Sequence, residues 1–159
     1  MSAEAFRAAM RRVPTGVAVV TTYLDGVPKG FTANAFASVS VEPPTILICV
    51  NARSRTHPLI SQAGRFCVNV LRLEQEALAV RFATPGEDDP FEGLPYRSEA
   101  TGAPVLDEAL AFFDCNLTEE LSAATHTIFL GDVVACGARD GAPLGYFNGG
   151  YRDFACRIP

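Results

Sequence analysis

The stretch Val17-Ala18-Val19-Val20-Thr21-Thr22-Tyr23-Leu24-Asp25-Gly26 indicates a β-hairpin near the N-terminus. Its first seven residues are mostly apolar and rich in β-branched side chains, which is typical of a buried strand. Asp-Gly is a strong signal for the tight turn that follows. We therefore expect a second strand from about Gly30 to Ser38, and Pro43-Pro44 should break the chain after it.

The rest of the chain repeats this strand composition, with short turns between the strands. Predicted strands cover Thr45–Val50, Phe66–Leu71, Ala109–Leu121, Thr125–Ala138 and Leu144–Phe147. Helical patterns are few: an amphipathic helix over residues 3–12, a helix from His57 to Ala63 that Thr56 caps and Gly64 ends, and a helix from Glu74 to Phe82. Residues 84–104 are rich in proline, glycine and acids, so they should form a surface excursion.

This element order excludes a doubly wound sheet, because such a sheet needs a helix after nearly every strand. Six or seven strands with short turns predict an antiparallel barrel or sandwich, and we favour the barrel. The length of 159 residues corresponds to a single domain, residues 1–159.

Composition argues against several classes of partner. The net charge is -5 and there is no long basic run, so nucleic acid is not expected. No stretch approaches the roughly 18 apolar residues of a membrane span, and the N-terminus lacks the pattern of a signal peptide. The five cysteines are widely spaced and four of them lie in apolar runs, which predicts a reduced cytoplasmic protein with cysteines in its core. The ligand spacing of a zinc site is missing.

Three stretches hold residues suited to ligand binding. In the first, Gly30 to Ser40, small and hydroxylated residues would let backbone groups approach a flat polar ring. The alternative is an edge strand whose polar face meets water. In the second, Asn51 to Pro58, two hydroxyls, the start of a helix and Arg53 or Arg55 could form a phosphate cradle. The alternative is a capped surface helix with two solvated arginines.

The third stretch, Ala124 to Val133, places His126 at the start of an apolar strand. A neutral imidazole there can donate or accept a hydrogen bond at the mouth of a cavity. The alternative is a structural histidine. Gly-x-Ser-x-Gly is absent, so nucleophilic catalysis has little support.

Taken in this order, the motifs resemble the flavin reductase-like family, whose fold is the FMN-binding split barrel. The resemblance runs over nearly the whole chain and rests on these segments: Phe6-Arg7-Ala8-Ala9-Met10, Thr15-Gly16-Val17, Gly30-Phe31-Thr32-Ala33-Asn34, Ser38-Val39-Ser40, Phe66-Cys67-Val68-Asn69, Phe113-Asp114-Cys115, Thr125-His126 and Gly131-Asp132-Val133. It implies a six-stranded Greek-key split barrel with a few short helices, assembled as a homodimer.

The resemblance also implies an activity, the NAD(P)H:flavin reductase component of two-component monooxygenases. A hydride would pass from NADH or NADPH to FMN or FAD, and the reduced flavin would serve a partner oxygenase. Alternatives are a protein that holds its flavin permanently and passes electrons to another acceptor such as a corrin, a non-catalytic flavin-binding module, and a purely structural barrel. The Rossmann fingerprint is absent, so the sequence does not separate NADH from NADPH.

Site residues follow from the same resemblance, position by position. The isoalloxazine and ribityl chain would be bordered by Thr32, Ala33, Asn34, Ser38, Val39 and Ser40, and the ribityl phosphate by Asn51, Ser54 and Thr56. Arg81 and Phe82 would be further flavin contacts. His126 and Tyr151 would face the nicotinamide, with His126 as the catalytic residue. No metal is implied.

Overall fold

The computed structural model describes residues 1–84, 86 and 89–154. Three short α-helices and a 3-10 helix flank the strands: α1 (Ala3–Met10), α2 (His57–Ala63), the 3-10 helix Leu73–Gln75 and α3 (Glu76–Ala83). The strands are β1 (Thr15–Gly16), β2 (Ala18–Leu24), β3 (Val27–Ala33), β4 (Phe36–Val41), β5 (Pro44–Asn51), β6 (Arg65–Val70), β7 (Tyr96–Ser98), β8 (Pro104–Leu106), β9 (Ala111–Ala123), β10 (His126–Ala138), β11 (Leu144–Phe147) and β12 (Gly150–Asp153). Among these helices, none has the length and hydropathy needed to span a bilayer.

Seven of the strands form one antiparallel sheet in the order β3-β2-β6-β9-β10-β5-β4. Its two edge strands, β3 and β4, are consecutive in the chain and are joined only by Asn34 and Ala35. Three Cα–Cα steps reach at most about 11 Å, whereas the edges of a flat seven-stranded sheet would lie about 29 Å apart. The sheet must therefore curl until its edges approach each other at this link.

Two apolar clusters fill the molecule. One lies inside the curled sheet and includes Val20, Ile48, Phe66 and Phe129, all of them buried. The other lies between the sheet, α3 and β11, and includes Val17, Leu71, Phe82 and Leu144. Alternation along β5 explains the first cluster, because Ile46, Ile48 and Val50 point inward while their neighbours stay partly exposed.

A second sheet has three strands in the order β1-β11-β12. It lies beside the main sheet where β2 begins and β6 ends. Backbone hydrogen bonds connect the two: Val17 N–H donates to the Leu144 carbonyl, Leu144 N–H to Leu71 and Leu71 N–H to Val17, over 2.9–3.1 Å. This three-way junction fixes the β11–β12 hairpin against the start of β2 and the end of β6.

The predicted β class with few helices is confirmed, and several details differ. The predicted strand from Gly30 to Ser38 is two strands, β3 and β4, because the curled sheet turns at Asn34–Ala35. The main sheet consequently has seven strands and not six. The predicted helix Glu74–Phe82 begins with a 3-10 turn, Leu73–Gln75. Residues 84–104 include β7, which pairs with β8.

The cysteine prediction is only partly correct. Cys67 and Cys115 are fully buried, whereas Cys49 is half-buried and Cys136 is exposed. Even-numbered residues in the C-terminal half of β10 face away from the core, and Cys136 is one of them. Cys156 lies outside the described residues. All four described cysteines are free thiols.

Candidate active site

An open cleft of about 210 Å³ lies where β3 reaches the link to β4. The end of β3 lines one side and the β11–β12 hairpin lines another, and several of the lining side chains are small. The lining residues are Val17, Thr32, Ala33, Asn34, Ala83, Tyr146 and Tyr151. The cleft therefore brings together four of the predicted site residues, Thr32, Ala33, Asn34 and Tyr151.

β3 is an edge strand, so part of its backbone has no strand to pair with. In an edge strand, alternate N–H and C=O groups point away from the neighbouring strand. Helix α3 holds the strand through two contacts. The Thr32 hydroxyl donates to the Ala79 carbonyl across 2.6 Å, and the Phe82 ring lies so close to Gly30 that a Cβ there would be 2.8 Å from it. The strand is held rigidly against α3 while its outer edge stays available to a ligand.

Two tyrosines line the hairpin side of the cleft. Tyr146 and Tyr151 are paired across the β11–β12 ladder, and their rings meet nearly edge to face with centroids 5.6 Å apart. Burial, followed by the nearby Tyr146 and Glu76, raises the pKa of Tyr151 above its ordinary value. The Tyr151 phenol therefore stays protonated at neutral pH.

Tyr146 was missed in the sequence, although a signal was present. Asn148 and Gly149 both have positive φ, as a tight hairpin turn requires. An Asn-Gly turn predicts a hairpin register, and that register places Tyr146 directly opposite Tyr151.

The loop between β5 and α2 holds the predicted phosphate residues, but its hydrogen bonds differ from the prediction. Thr56 makes no side-chain cap. Instead, the Ser54 hydroxyl accepts the His57 N–H across 3.2 Å and lies 3.3 Å from the Thr56 hydroxyl. The next residue, Pro58, has no N–H to offer. A phosphate at this loop would consequently depend on hydroxyls and the exposed arginines, and not on free amides of the helix start.

His126 lies beside this loop. It is the first residue of β10, where its Cα partner in β5 is Asn51, and the Ala52 N–H donates to the Thr125 carbonyl across 3.0 Å. The imidazole is exposed, and its Nδ1 lies 2.9 Å from the Thr125 hydroxyl. Thus Asn51, Ser54, Thr56 and His126 form one polar group at the ends of β5 and β10.

The fold connects this polar group with the cleft through β3 and the β3–β4 link. Cys49 N–H, near the end of β5, donates to the Ala35 carbonyl across 2.9 Å. On the other side of the link, Thr56 and Ile60 border the same narrow gap as Gly30 and Phe31. The cleft and the phosphate loop are therefore neighbours along one edge of the sheet.

The remaining predicted residues lie elsewhere in the single chain. Ser38 and Val39 are exposed on the edge strand β4, and the Ser40 hydroxyl accepts the Glu42 N–H across 3.1 Å. Arg81 donates to the carbonyls of Asp89 and Glu92. Phe82 is buried and packs edge-on against Phe91, with centroids 5.0 Å apart.

A metal centre finds no support in the part of the chain that the structure describes. No group of three or more histidine, cysteine, aspartate or glutamate side chains is suitably placed there to hold a metal ion.

The chain matches one known protein family over most of its length. The family described as "Flavin reductase like domain" matches residues 10–155. Because the match covers most of the chain, the protein belongs to the flavin reductase-like family, as the sequence motifs indicated.

Named relatives cover nearly the whole chain. The reductase component of the 4-nitrophenol 4-monooxygenase/4-nitrocatechol 2-monooxygenase of Rhodococcus opacus is 39% identical, over 94% of this chain and 80% of its own length. The FMN reductase (NADH) of Agrobacterium fabrum is 36% identical, over 97% and 87%. The solved structure of the NADH:FAD oxidoreductase of Streptomyces globisporus, in complex with NAD and FAD fragments, has a TM-score of 0.90 at 34% identity and covers 97% of this chain and 93% of that one.

Proposed function

We propose that this protein is an NAD(P)H-dependent flavin reductase that takes a hydride from NADH or NADPH, delivers it to FMN or FAD, and supplies the reduced flavin to a partner monooxygenase. The observation that carries the proposal is the open cleft between the edge strand β3 and the Tyr146–Tyr151 pair, in a chain of the flavin reductase-like family. Relatives named as an FMN reductase (NADH) and as the reductase component of a monooxygenase support it.

The cleft has the chemistry that a flavin ring needs. A flat ring with polar atoms along its edge fits between small side chains, Ala33 and Ala83, and the unpaired backbone of an edge strand. The ribityl phosphate would then extend toward Asn51, Ser54 and Thr56, where Arg53 and Arg55 add positive charge to a chain of net charge -5. Ser38, Val39, Ser40, Arg81 and Phe82 remain proposed contacts with the flavin.

A bound flavin supplies the hydride acceptor, and the protein's own task is alignment and exclusion of water. Hydride transfer itself needs no base. His126 is proposed to orient the nicotinamide or the edge of the flavin through a hydrogen bond, because its ring is exposed and its Nε2 has no hydrogen-bond partner among the described residues. Tyr151, with its raised pKa, offers a neutral phenol and a ring face on the nicotinamide side.

We further propose a cytoplasmic homodimer. The four free cysteines support a reducing compartment. Apolar side chains that the single chain leaves exposed support self-association, notably Val39 and Val41 on the edge strand β4 together with Leu121 and Val134. Light scattering on the purified protein should give twice the mass of one chain; a single-chain mass would contradict the dimer.

The function is tested by steady-state oxidation of NADH and NADPH with FMN or FAD added in turn. We expect oxidation that depends on added flavin, and flavin that washes off during purification. Oxidation without any flavin dependence would contradict the proposal. Flavin that stays bound through gel filtration would favour a permanently held cofactor.

His126 is tested with two variants. His126→Ala should lower kcat for NADH oxidation and leave the Kd for flavin unchanged, because the imidazole is assigned to the nicotinamide side. His126→Asn, which retains a hydrogen-bonding group, should recover part of kcat if the role is orientation. Unchanged turnover in His126→Ala would rule the role out.

A further inference from the structure

A second cavity adjoins the candidate active site. It has a volume of about 390 Å³ and lies between α1 and the turn of the β11–β12 hairpin. Asn34 and Tyr146 line both this cavity and the cleft described above. The two spaces therefore adjoin each other at these two residues, and one extended ligand would contact both.

The second cavity is positively charged. Arg7 on α1 and Arg11, which caps the C-terminal end of this helix, both line it; they are four residues apart and so lie on one face of the helix. Its lining contains no carboxylate. Within the described part of the chain, neither arginine lies within ion-pair distance of an acidic side chain. Two uncompensated guanidinium groups in a chain of net charge -5 point to an anionic ligand.

The cavity also has apolar surface. Met10 and Val13 also line it, and they stay 49% and 47% exposed. No residue of α1 is buried, so this face of the helix does not serve the core. Guanidinium groups beside apolar and aromatic surface match a ligand that carries both phosphates and a flat base.

The helix is held in place on this surface. The Ser2 hydroxyl caps its first turn by accepting the Ala5 N–H across 3.1 Å. At the other end, the Asn148 N–H in the hairpin turn donates to the Arg11 carbonyl across 3.0 Å. Both walls of the cavity are therefore fixed relative to each other before a ligand arrives, which lowers the entropy cost of binding.

We infer that this cavity binds the adenosine diphosphate half of a dinucleotide whose ring half lies in the adjoining cleft. The inference rests on the proposed function and names the subsite for the part of the substrate distant from the chemistry. Two substrates carry this group, NAD(P)H and FAD, whereas FMN lacks it. In either case Arg7 and Arg11 bind the diphosphate, and Met10 and Val13 pack against the adenosine.

The test compares the double variant Arg7→Gln/Arg11→Gln with Arg12→Gln. Arg12 comes two residues after the end of α1 and is exposed, but it does not line the cavity, so it controls for the loss of positive charge. We expect the double variant to raise the inhibition constant of ADP against NADH, with FMN as the acceptor, by roughly ten-fold or more. Arg12→Gln should change it less than two-fold, an estimate from the weakness of exposed charges.

Two further measurements identify the substrate. If NAD(P)H occupies the cavity, its KM rises in the double variant while the Kd values of FMN and FAD stay the same. If FAD occupies it, the Kd of FAD rises while that of FMN and the KM of NADH stay the same. Either result supports the inference. Unchanged values for ADP, NADH and FAD, or an equal effect of Arg12→Gln, would overturn it.

The inference and the proposed function fail in different ways. If the wild-type protein shows no flavin-dependent oxidation of NADH, the proposed function is wrong, and titration calorimetry with ADP then tests the cavity alone. If oxidation occurs and the double variant binds ADP as the wild type does, only the inference is wrong.

Discussion

The imidazole Nε2 of His57 lies 2.7 Å from the Thr127 hydroxyl, and this hydrogen bond joins the loop between β5 and α2 to the start of β10. The His57 ring also packs against Phe129 at 5.2 Å between centroids, and its backbone N–H is bound by the Ser54 hydroxyl. Since Thr127 directly follows His126, one contact sets the position of the proposed phosphate loop relative to the proposed nicotinamide residue.

Replacing Thr127 by valine should loosen this connection. Valine has nearly the shape of threonine but cannot hydrogen-bond, so Thr127→Val leaves a ring nitrogen of His57 without its partner. We expect the free energy of unfolding to fall by about 1 kcal/mol, which lowers Tm by roughly 2–4 °C. Flavin binding, measured by fluorescence titration, should weaken as well, because Ser54 and Thr56 lose a fixed position.

The matched control is Thr118→Val, a threonine on β9 whose hydroxyl is exposed and bonds to the Leu130 carbonyl. It lies away from the loop, so it should leave flavin affinity unchanged. If Thr127→Val bound flavin as tightly as Thr118→Val, the positioning role of His57 would be excluded.

Gly131 tests the packing inside the curled sheet. A Cβ at this position would lie 2.6 Å from the Phe66 ring and 2.9 Å from Cys115 Cβ, both of them buried. Gly131→Ala should therefore cost about 1–3 kcal/mol through overpacking, as measured by urea unfolding. At Gly16 a new Cβ first meets the Phe36 ring at 3.8 Å, which is ordinary contact, so Gly16→Ala should be much milder. Equal losses of stability in the two variants would contradict the packing described here.

Because thiols are buried in this fold, we expect the free energy of unfolding to fall at alkaline pH. Burial, together with the nearby Asp114, raises the pKa of Cys115 to about 12. The unfolded chain releases this proton from about pH 9 upward, whereas the folded chain keeps it until about pH 12. The free energy of unfolding should therefore fall as the pH rises between these two values. The slope of unfolding free energy against pH should be smaller in Cys115→Ala than in the wild type.

Cys136→Ala is the control for this prediction, because it removes a cysteine whose thiol is exposed and not buried. Its slope should match that of the wild type. With Cys156 replaced by serine beforehand, a thiol reagent at neutral pH should label Cys136 and spare Cys67 and Cys115. Rapid labelling of Cys67 or Cys115 in the folded protein would disprove their burial.

Much of the fold was predictable because local patterns and tertiary packing agree in most strands. The predicted strand Val17–Tyr23 corresponds to β2, which runs from Ala18 to Leu24, and the Asp25–Gly26 turn forms as expected. The division of Gly30–Ser38 into two strands was not predictable from composition. It arises where a curled sheet brings its edges together, and no proline or glycine at Asn34–Ala35 marks that bend.

The candidate site shows the same limit. The hydroxyl of Ser54, and not that of Thr56, accepts the first N–H of α2, since the choice between two hydroxyls two residues apart depends on loop geometry that propensity does not encode. The amphipathic pattern of α1 predicted a helix correctly, but none of its residues is buried by the part of the chain that the structure describes. Local periodicity indicates that a face is apolar; which group covers that face is settled only by the rest of the molecule.

The central claim, reduction of flavin by a nicotinamide dinucleotide, is tested most directly by anaerobic titration. The purified protein is mixed with FMN or FAD in the absence of oxygen, and NADH or NADPH is then added while the visible absorption of the oxidised flavin is recorded. We predict that this absorption is lost with one equivalent of reduced dinucleotide per flavin, faster than without protein, and that it returns when air is admitted. Absorption that persists with all four combinations of flavin and dinucleotide would contradict the account.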